Sequence, residues 1–419
     1  MDRRIIFTLV VMLIVIVGEL YTYYTLRSLF SEQRSKRIFT LVYLAQTAFL
    51  IFAWYKSVDI IRNGSIERSF MDNFYIGIAF TAFISKTVFI ILMLLQDGGR
   101  LLFGLGTWMT NLIKGDQAAI TLMPGRREFL TKGAVLFAGI PFFGMLYGIT
   151  KGKYQYTVNK LSLAFQNLPK AFNGLRIVQI SDIHSGSFDS TESVAKGIAM
   201  INDLKPDLIL FTGDLVNFEK DEINPYIDVF ANLEAPLGKY AILGNHDYYG
   251  TERQEPGKRQ QYWDDFMSKY PALGFKLLKN ENVTIEKEGE KIAILGVENW
   301  GAGNYFQKYG DLDKASQGIN EDTFAILMSH DPTHWTEKII PHQRTFPLTL
   351  SGHTHGMQFG IDIPGFKWSP VKYRYKHWSG LYQEAGQYLY VNKGFGFLGF
   401  PGRIGMWPEI TLLEMNTVS

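Results

Sequence analysis

Four long apolar runs dominate the first third of the chain. They are residues 5–26 (IIFTLVVMLIVIVGELYTYYTL), 38–55 (IFTLVYLAQTAFLIFAWY), 74–95 (FYIGIAFTAFISKTVFIILMLL) and a shorter run at 134–149 (AVLFAGIPFFGMLYGI). These approach the ~20 residues a helix needs to cross a hydrocarbon layer, and they predict an all-α transmembrane domain of about four helices over residues 1–150. The intervening RLLFGLGTWMTNLIKG (100–115) is glycine-broken and reads as an interfacial amphipathic segment, with a re-entrant segment as the alternative. Near residue 175 the pattern changes to short β-branched runs alternating with polar helical stretches. LRIVQI, DLILFTG, KYAILG, KIAILGV, TFAILMS, PLTLSG and EITLLEM read as strands, and TESVAKGIAMINDL and EINPYIDVFANL as helices. An α/β domain over 172–419, joined by a linker at 151–171, is the organisation this predicts.

Charge orients the apolar part, because Lys and Arg in short loops stay on the cytoplasmic side. The loop at 27–37 holds Arg27, Arg34, Lys36 and Arg37, and the stretch 96–133 holds Arg100, Lys114, Arg126, Arg127 and Lys132. The opposite side holds Arg3, Arg4, Lys56, Arg62 and Arg68. The excess predicts a multi-pass protein of a bacterial inner or cell membrane with everything after residue 150 outside the cytoplasm, although Arg3 and Arg4 count against that orientation. Glu19 and Lys86 interrupt two runs at similar depth, and since isolated charges are costly there, the two are expected to face each other. GRREFL (125–130) resembles a twin-arginine export address. With three helices ahead of it, it reads as the basic flank of an uncleaved last crossing.

Composition removes several chemistries. There is no cysteine, so disulfides, thiolate metal sites and cysteine nucleophiles are excluded, and any metal must be held by His, Asp, Glu or Asn. Residues 1–150 carry 15 Lys/Arg against 9 Asp/Glu, and the remainder 27 against 31. That mild acidity of the second domain counts against nucleic acid as a partner.

The strands of the α/β part end in unusual residues. LRIVQISDIH delivers Asp182 and His184, and LILFTGDLV delivers Asp214. YAILGNHD delivers Asn245, His246 and Asp247, FAILMSH delivers His330, and LTLSGHTH delivers His353 and His355. Five of the eight histidines stand at these ends, which places them at one edge of a sheet. Taken singly, Asp182 is a capping acid and Asn245 a turn residue; five such ends in order make coincidence a poor explanation. Carboxylates, imidazoles and an amide oxygen make a mixed N/O donor set suited to Mn, Fe, Zn or Mg, with Mn favoured. Two such ions about 4 Å apart hold a hydroxide between them and neutralise phosphate oxygens during in-line attack.

The order D-x-H, G-D, G-N-H-D, a lone strand-end His, then G-H-x-H resembles the calcineurin-like binuclear metallophosphoesterase superfamily, over residues 172–415. LSGHTHGMQ and the ending VNKGFGFLGFPGRIGMWPEITLLEM resemble its bacterial membrane-associated or exported branch, with Met357 where that branch usually has a second glycine. The resemblance implies a four-layer αββα sandwich binding two divalent metal ions at one end. It implies Asp182, His184 and His355 as ligands of one ion, Asn245, His330 and His353 as ligands of the other, and Asp214 as the bridge. His246 is then the histidine that steadies the transition state or protonates the leaving oxygen, and Asp247 is expected to orient its imidazole.

The resulting expectation is a metal-dependent phosphohydrolase at the membrane, a phosphodiesterase or pyrophosphatase acting on a lipid-linked phosphoester. The alternatives are a receptor or transporter subunit whose metal domain only binds a phosphorylated ligand, and a tethered phosphatase for soluble nucleotides or phosphoproteins. KWSPVKYRYKHWSGLY (367–382) interleaves cations with aromatics and is expected to face lipid headgroups through Trp368 and Trp378, the other reading being a surface hairpin. Arg403 and His334 are candidates for phosphate or headgroup contact.

Overall fold

The computed structural model describes residues 3–63, 68–114 and 124–418. They belong to two compact units, one of Met1–Arg62 with Tyr75–Leu146, the other of Asn63–Phe74 with Tyr147–Ser419.

The helical part comprises α1 (Arg3–Arg27), α2 (Gln33–Asn63), α3 (Phe70–Lys114) and α4 (Pro124–Thr150). Gln33–Arg62, Phe70–Ile113 and Gly125–Thr150 are long and apolar enough to cross a membrane. The glycines expected to break the chain after residue 95 do not: Arg100–Lys114 continues α3 without interruption, and Gly115 lies outside the described residues. Glycine weakens a helix in water, but an apolar solvent offers unpaired backbone groups no other partner, so the i→i−4 ladder persists through Gly98, Gly99, Gly104 and Gly106. At 45 residues, α3 is roughly 68 Å long, about twice a hydrocarbon core. Inside this unit Lys86 Nζ lies 2.6 Å from Glu19 Oε1 and 2.9 Å from Oε2, and the Tyr43 hydroxyl donates to Glu19 Oε2 at 2.8 Å.

The second unit is built on two six-stranded sheets. The first contains β1 (Thr157–Phe165), β2 (Leu175–Ile180), β3 (Leu208–Phe211), β4 (Lys239–Ala241), β5 (Lys276–Leu277) and β14 (Glu409–Thr417), in the order β1-β14-β2-β3-β4-β5. The second contains β6 (Glu281–Lys287), β7 (Glu290–Gly296), β8 (Phe324–Met328), β9 (Leu348–Ser351), β12 (Gly380–Glu384) and β13 (Gln387–Val391), in the order β12-β13-β9-β8-β7-β6. A separate hairpin pairs β10 (Ile361–Ile363) with β11 (Phe366–Trp368).

Strand alternation explains the layering. Side chains point to opposite faces with period two, so Ile177, Leu208 and Leu210 meet Ile292, Ile294, Ile326 and Leu350 between the sheets. Val178, Ile180, Ile209 and Phe211 pack outward against α5 (Thr191–Asp203) and α6 (Ile227–Ala231). On the far side Ala293, Leu295, Leu327 and Val391 are covered by Leu312, Trp335 and Ile339. Strands covered on both faces read as unbroken apolar runs such as LILF and FAILM.

Two expectations change here. The stretch 151–171 contains β1, whose nine residues pair in parallel with β14, so it opens the sheet instead of merely linking to it. EINPYIDVFANL is not one helix: Pro225, with no N–H, stands in a 3₁₀ segment (Lys220–Tyr226), and only Ile227–Ala231 is α-helical.

Candidate metal centre

The loops leaving β2, β3, β4, β8 and β9 carry the strand-end residues. Asp182, His184, Asp214, His353 and His355 all have left-handed backbone, with φ of 52, 47, 61, 71 and 51°. Each such residue costs on the order of 1–3 kcal/mol, and they persist only where surrounding contacts over-determine them. Those contacts tie loop to loop. Asp182 N–H donates to Gly213 O at 2.9 Å, His184 N–H to Asp214 O at 3.1 Å, and Gly352 N–H to His330 O at 2.9 Å. His353 N–H donates to the Asp182 carboxylate at 3.0 Å, joining the two sheets. Gly352 has no alternative, because a Cβ there would run into Ser181 Oγ and the Asp182 carboxylate.

The donor atoms fall into two sets. Asp182, His184 and His355 form one, and Asp214, His330 and His353 the other, with the atoms of each set within 4.8 Å of one another. Asp214 Oδ2 lies 3.5 Å from His184 Nε2 and 3.2 Å from His330 Nε2, so one carboxylate faces both. Asn245 Oδ1 is 2.9 Å from His353 Nδ1. All seven residues expected as ligands are therefore brought together.

The donor chemistry fits divalent cations. His184 Nε2 faces His355 Nε2 at 3.0 Å, and His353 Nδ1 faces His330 Nε2 at 3.3 Å, beside buried carboxylates. His330 Nδ1 lies 2.7 Å from Thr212 O; a carbonyl only accepts, so Nδ1 carries the proton and Nε2 is left with its lone pair toward the site. At that lone pair a proton competes with a cation. Burial opposes charge at His330, yet Asp214 outweighs it and raises His330 to about 10. Burial likewise works to raise Asp182 and Asp214, but the surrounding histidines hold both below the usual carboxylate range. Burial lowers His184 and His353, so the positive charge is drawn to His330 beside Asp214.

His246 stands beside the sets, half-buried. Its N–H donates to Asp214 Oδ1 at 2.8 Å and its Nδ1 lies 2.8 Å from Asn217 O. The carbonyl again requires a proton on Nδ1, which leaves Nε2 for proton transfer. The expectation that Asp247 orients this ring is corrected: its carboxylate accepts the N–H groups of Gly244 (2.8 Å), Asp214 (3.0 Å) and Leu215 (2.8 Å) and clips the bridging loop. Burial first, and then the Asp214 charge, raise Asp247 to about 7.

The two substrate candidates lie elsewhere. Arg403 is fully buried, with its guanidinium on the carbonyls of Gly396, Met406 and Lys393 and Nη2 3.2 Å from His355 Nδ1. Its donors are consumed behind a ligand loop and not offered to substrate. His334 is buried, bonded through Nδ1 to Ser329 Oγ at 2.8 Å and stacked on Trp300. Trp378 packs with Val371, Tyr375 and Met406, so it does not face lipid. Sequence reasoning missed three contributors. Tyr375 Oη lies 2.9 Å from His353 Nε2, Asp331 Oδ2 lies 3.5 Å from the same nitrogen, and Asn217 acts through its main-chain oxygen. Only Asp331 had a sequence signal, its position directly after His330.

Residues 175–357 match the calcineurin-like phosphoesterase family, and residues 3–153 match the transmembrane domain of calcineurin-like phosphoesterases. Fold and paired donor sets thus define a metallophosphoesterase, a hydrolase of phosphoester bonds carrying a membrane domain. An uncharacterized metallophosphoesterase of Bacillus subtilis, YkuE, is 31% identical over 304 residues, 70% of this chain and 98% of its own length. The UDP-2,3-diacylglucosamine pyrophosphatase LpxG of Chlamydia trachomatis is 31% identical over 55% of this chain and 81% of its own. The phosphodiesterase YaeI of Escherichia coli is 25% identical over 70% of this chain and 100% of its own. The chain belongs to the calcineurin-like phosphoesterase family, whose members use a dinuclear metal centre.

Proposed function

We propose that this protein hydrolyses a phosphodiester or pyrophosphate linkage in a lipid-linked substrate, with residues 1–150 as its membrane domain and a catalytic domain whose first sheet opens with β1 at Thr157. Asp182, His184 and His355 hold one divalent ion, Asn245, His330 and His353 a second, and Asp214 both. The reading is carried by Asp214 Oδ2, which reaches a histidine of each set. Two ions there supply Lewis-acid activation of water and neutralisation of phosphoryl oxygens. Mn is our favoured occupant, with Fe, Zn and Mg fitting the same N/O donors. His246, steered by Asn217 O, acts as general acid in its imidazolium form, giving the Nε2 proton to the leaving-group oxygen and keeping the Nδ1 proton on the carbonyl.

Support for the substrate class is the membrane domain and the likeness to a relative named as a pyrophosphatase of a diacylated sugar nucleotide. The loop charges support an extracytoplasmic catalytic domain; reporter fusions after residue 150 active only in the cytoplasm would reverse that side. The test of function is hydrolysis by the full-length purified protein, with and without added Mn²⁺, of a chromogenic phosphodiester, a phosphomonoester and a lipid-linked pyrophosphate. Metal-dependent turnover of the diester or pyrophosphate is expected, with kcat lowered ~10²–10⁴-fold in His246→Ala. Metal-loaded protein that binds these compounds without turnover overturns the proposal in favour of a phosphate-ligand receptor.

A further inference from the structure

The β10–β11 hairpin has its amphipathicity inverted. Ile361 pairs with Trp368, Asp362 with Lys367 and Ile363 with Phe366. Alternation therefore puts the apolar residues on one face and Asp362 and Lys367 on the other. The polar face is turned to the protein: Asp362 Oδ2 accepts from Lys393 at 2.5 Å, Lys393 is buried, and Lys367 Nζ reaches Ser379 Oγ at 3.3 Å. The apolar face is turned away, with Ile361, Ile363 and Phe366 exposed to 44, 58 and 53%. A hairpin on a water-facing surface shows the opposite arrangement. Exposed Phe359, its ring 6.5 Å from that of Trp368, extends this face, and exposed Met357 precedes it in the chain, two residues from His355 at the metal centre. A contiguous apolar patch marks a surface that is covered in use.

Two observations say what covers it. The segment that follows the hairpin in the chain carries exposed Lys372, Arg374 and Lys376 with exposed Tyr373, the mixture of cations and amphipathic ring suited to anionic headgroups. The base of the hairpin is also tied to the end of α4. Phe359 bridges to Ile404, and Gly360 N–H donates to Ile404 O at 2.9 Å. The same segment packs on Tyr147 and Gly148: Arg403 N–H reaches Gly148 O at 3.4 Å, and the Trp407 and Tyr147 rings are 5.9 Å apart. Tyr147 and Gly148 lie in the final turn of α4, a helix long and apolar enough to cross a membrane.

We infer that the face formed by Ile361, Ile363 and Phe366, with Met357 and Phe359, sits in the headgroup–acyl boundary of the bilayer that carries the helices. The hairpin is then a bilayer-seated lip beside the metal centre, at the level where lipid phosphates lie. The inference rests on the apolar helices and the hairpin, not on the identity of the substrate, and its test needs no turnover.

The absence of cysteine makes that test direct, since single Ile363→Cys, Phe366→Cys and Glu288→Cys variants each take one environment-sensitive fluorophore. Glu288 is an exposed control in the turn between β6 and β7. The labelled full-length protein is reconstituted in phosphatidylcholine–phosphatidylglycerol vesicles, and only labelled protein with the parental melting temperature is read. Lipids bearing a nitroxide near the headgroup are expected to quench the probes at 363 and 366 severalfold more than the probe at 288, and aqueous iodide to show the reverse order. Probes at 363 and 366 that respond like the control overturn the inference. So does lipid-independent self-quenching that grows with protein density, which assigns the face to a second copy. The two hairpin positions give independent readings should one label perturb folding.

Discussion

The main-chain oxygen of Asn217 lies 2.8 Å from Nδ1 of His246 and thereby decides which nitrogen is left for proton transfer. That oxygen is held in turn by Glu222, whose carboxylate accepts the N–H groups of Asn217 (2.5 Å), Phe218 (3.2 Å) and Glu219 (3.1 Å). Glu222→Gln puts an amide donor against one of these N–H groups and lets the carbonyl drift. Small misplacement of a catalytic group costs up to ~10²-fold, so kcat is expected to fall on the order of ten- to a hundredfold while KM stays within about twofold. Equal changes in both constants, or a kcat equal to the parent's, would remove Glu222 as a positioning residue for His246.

Asp331 is buried, with Oδ2 3.5 Å from His353 Nε2 and without a hydrogen bond. A carboxylate behind a metal-binding imidazole orients the ring and raises its basicity. Asp331→Asn is expected to weaken the affinity for one of two ions by ~10–100-fold, read as a rightward shift of one phase in a Mn²⁺ titration. Excess metal should recover the activity. A titration superimposable on the parent's argues that Asp331 serves packing alone.

Glu19 and Lys86 pair at 2.6 Å within the helical unit. Reversing either charge leaves two like charges in an apolar surrounding, a penalty of several kcal/mol. Glu19→Lys and Lys86→Glu alone should lower the melting temperature in detergent, and the double reversal should regain most of the loss. A double variant no more stable than the singles contradicts the pairing.

Burial lowers His334 from 6.5 to about 3. The unfolded chain protonates this ring near its ordinary pKa while the folded protein does not, so the unfolded state binds more protons between about 6.5 and 3. Its contribution is therefore a loss of stability as pH falls through that window, by up to ~1.4 kcal/mol per pH unit. His334→Gln should flatten the stability–pH curve relative to the parent between pH 6 and 4, measured by denaturant unfolding. Parallel curves would show that the ring does not titrate in this way.

Much of the centre was legible because its signals are local. A strand of period two that ends in Gly-Asp, Gly-Asn-His-Asp or Gly-His-x-His states both where the chain turns and what it carries there, and those turns bring Asp182, His184, Asp214, Asn245, His330, His353 and His355 together. The apolar runs were equally plain, since membrane crossing is a matter of length and composition.

Other features depend on what arrives from distant parts of the chain. Asn217 orients His246 through a carbonyl that every residue type possesses, so no letter in the sequence marks it. Arg403 looked like a phosphate contact because arginine is the usual one; its burial beneath the loop from 393 to 406 consumed its donors. Trp378 looked interfacial by composition and is covered by Met406, while Ile361 and Ile363, unremarked in the sequence, are exposed because Asp362 turns inward to Lys393. The sequence by itself determined the strands that carry the metal centre, the apolar helices and the residue types of that centre, since periodicity and turn chemistry act over a few residues. Only the tertiary structure decided which main-chain groups steer those residues and which faces stay exposed, since burial and hydrogen-bond partners are set by packing across the whole chain.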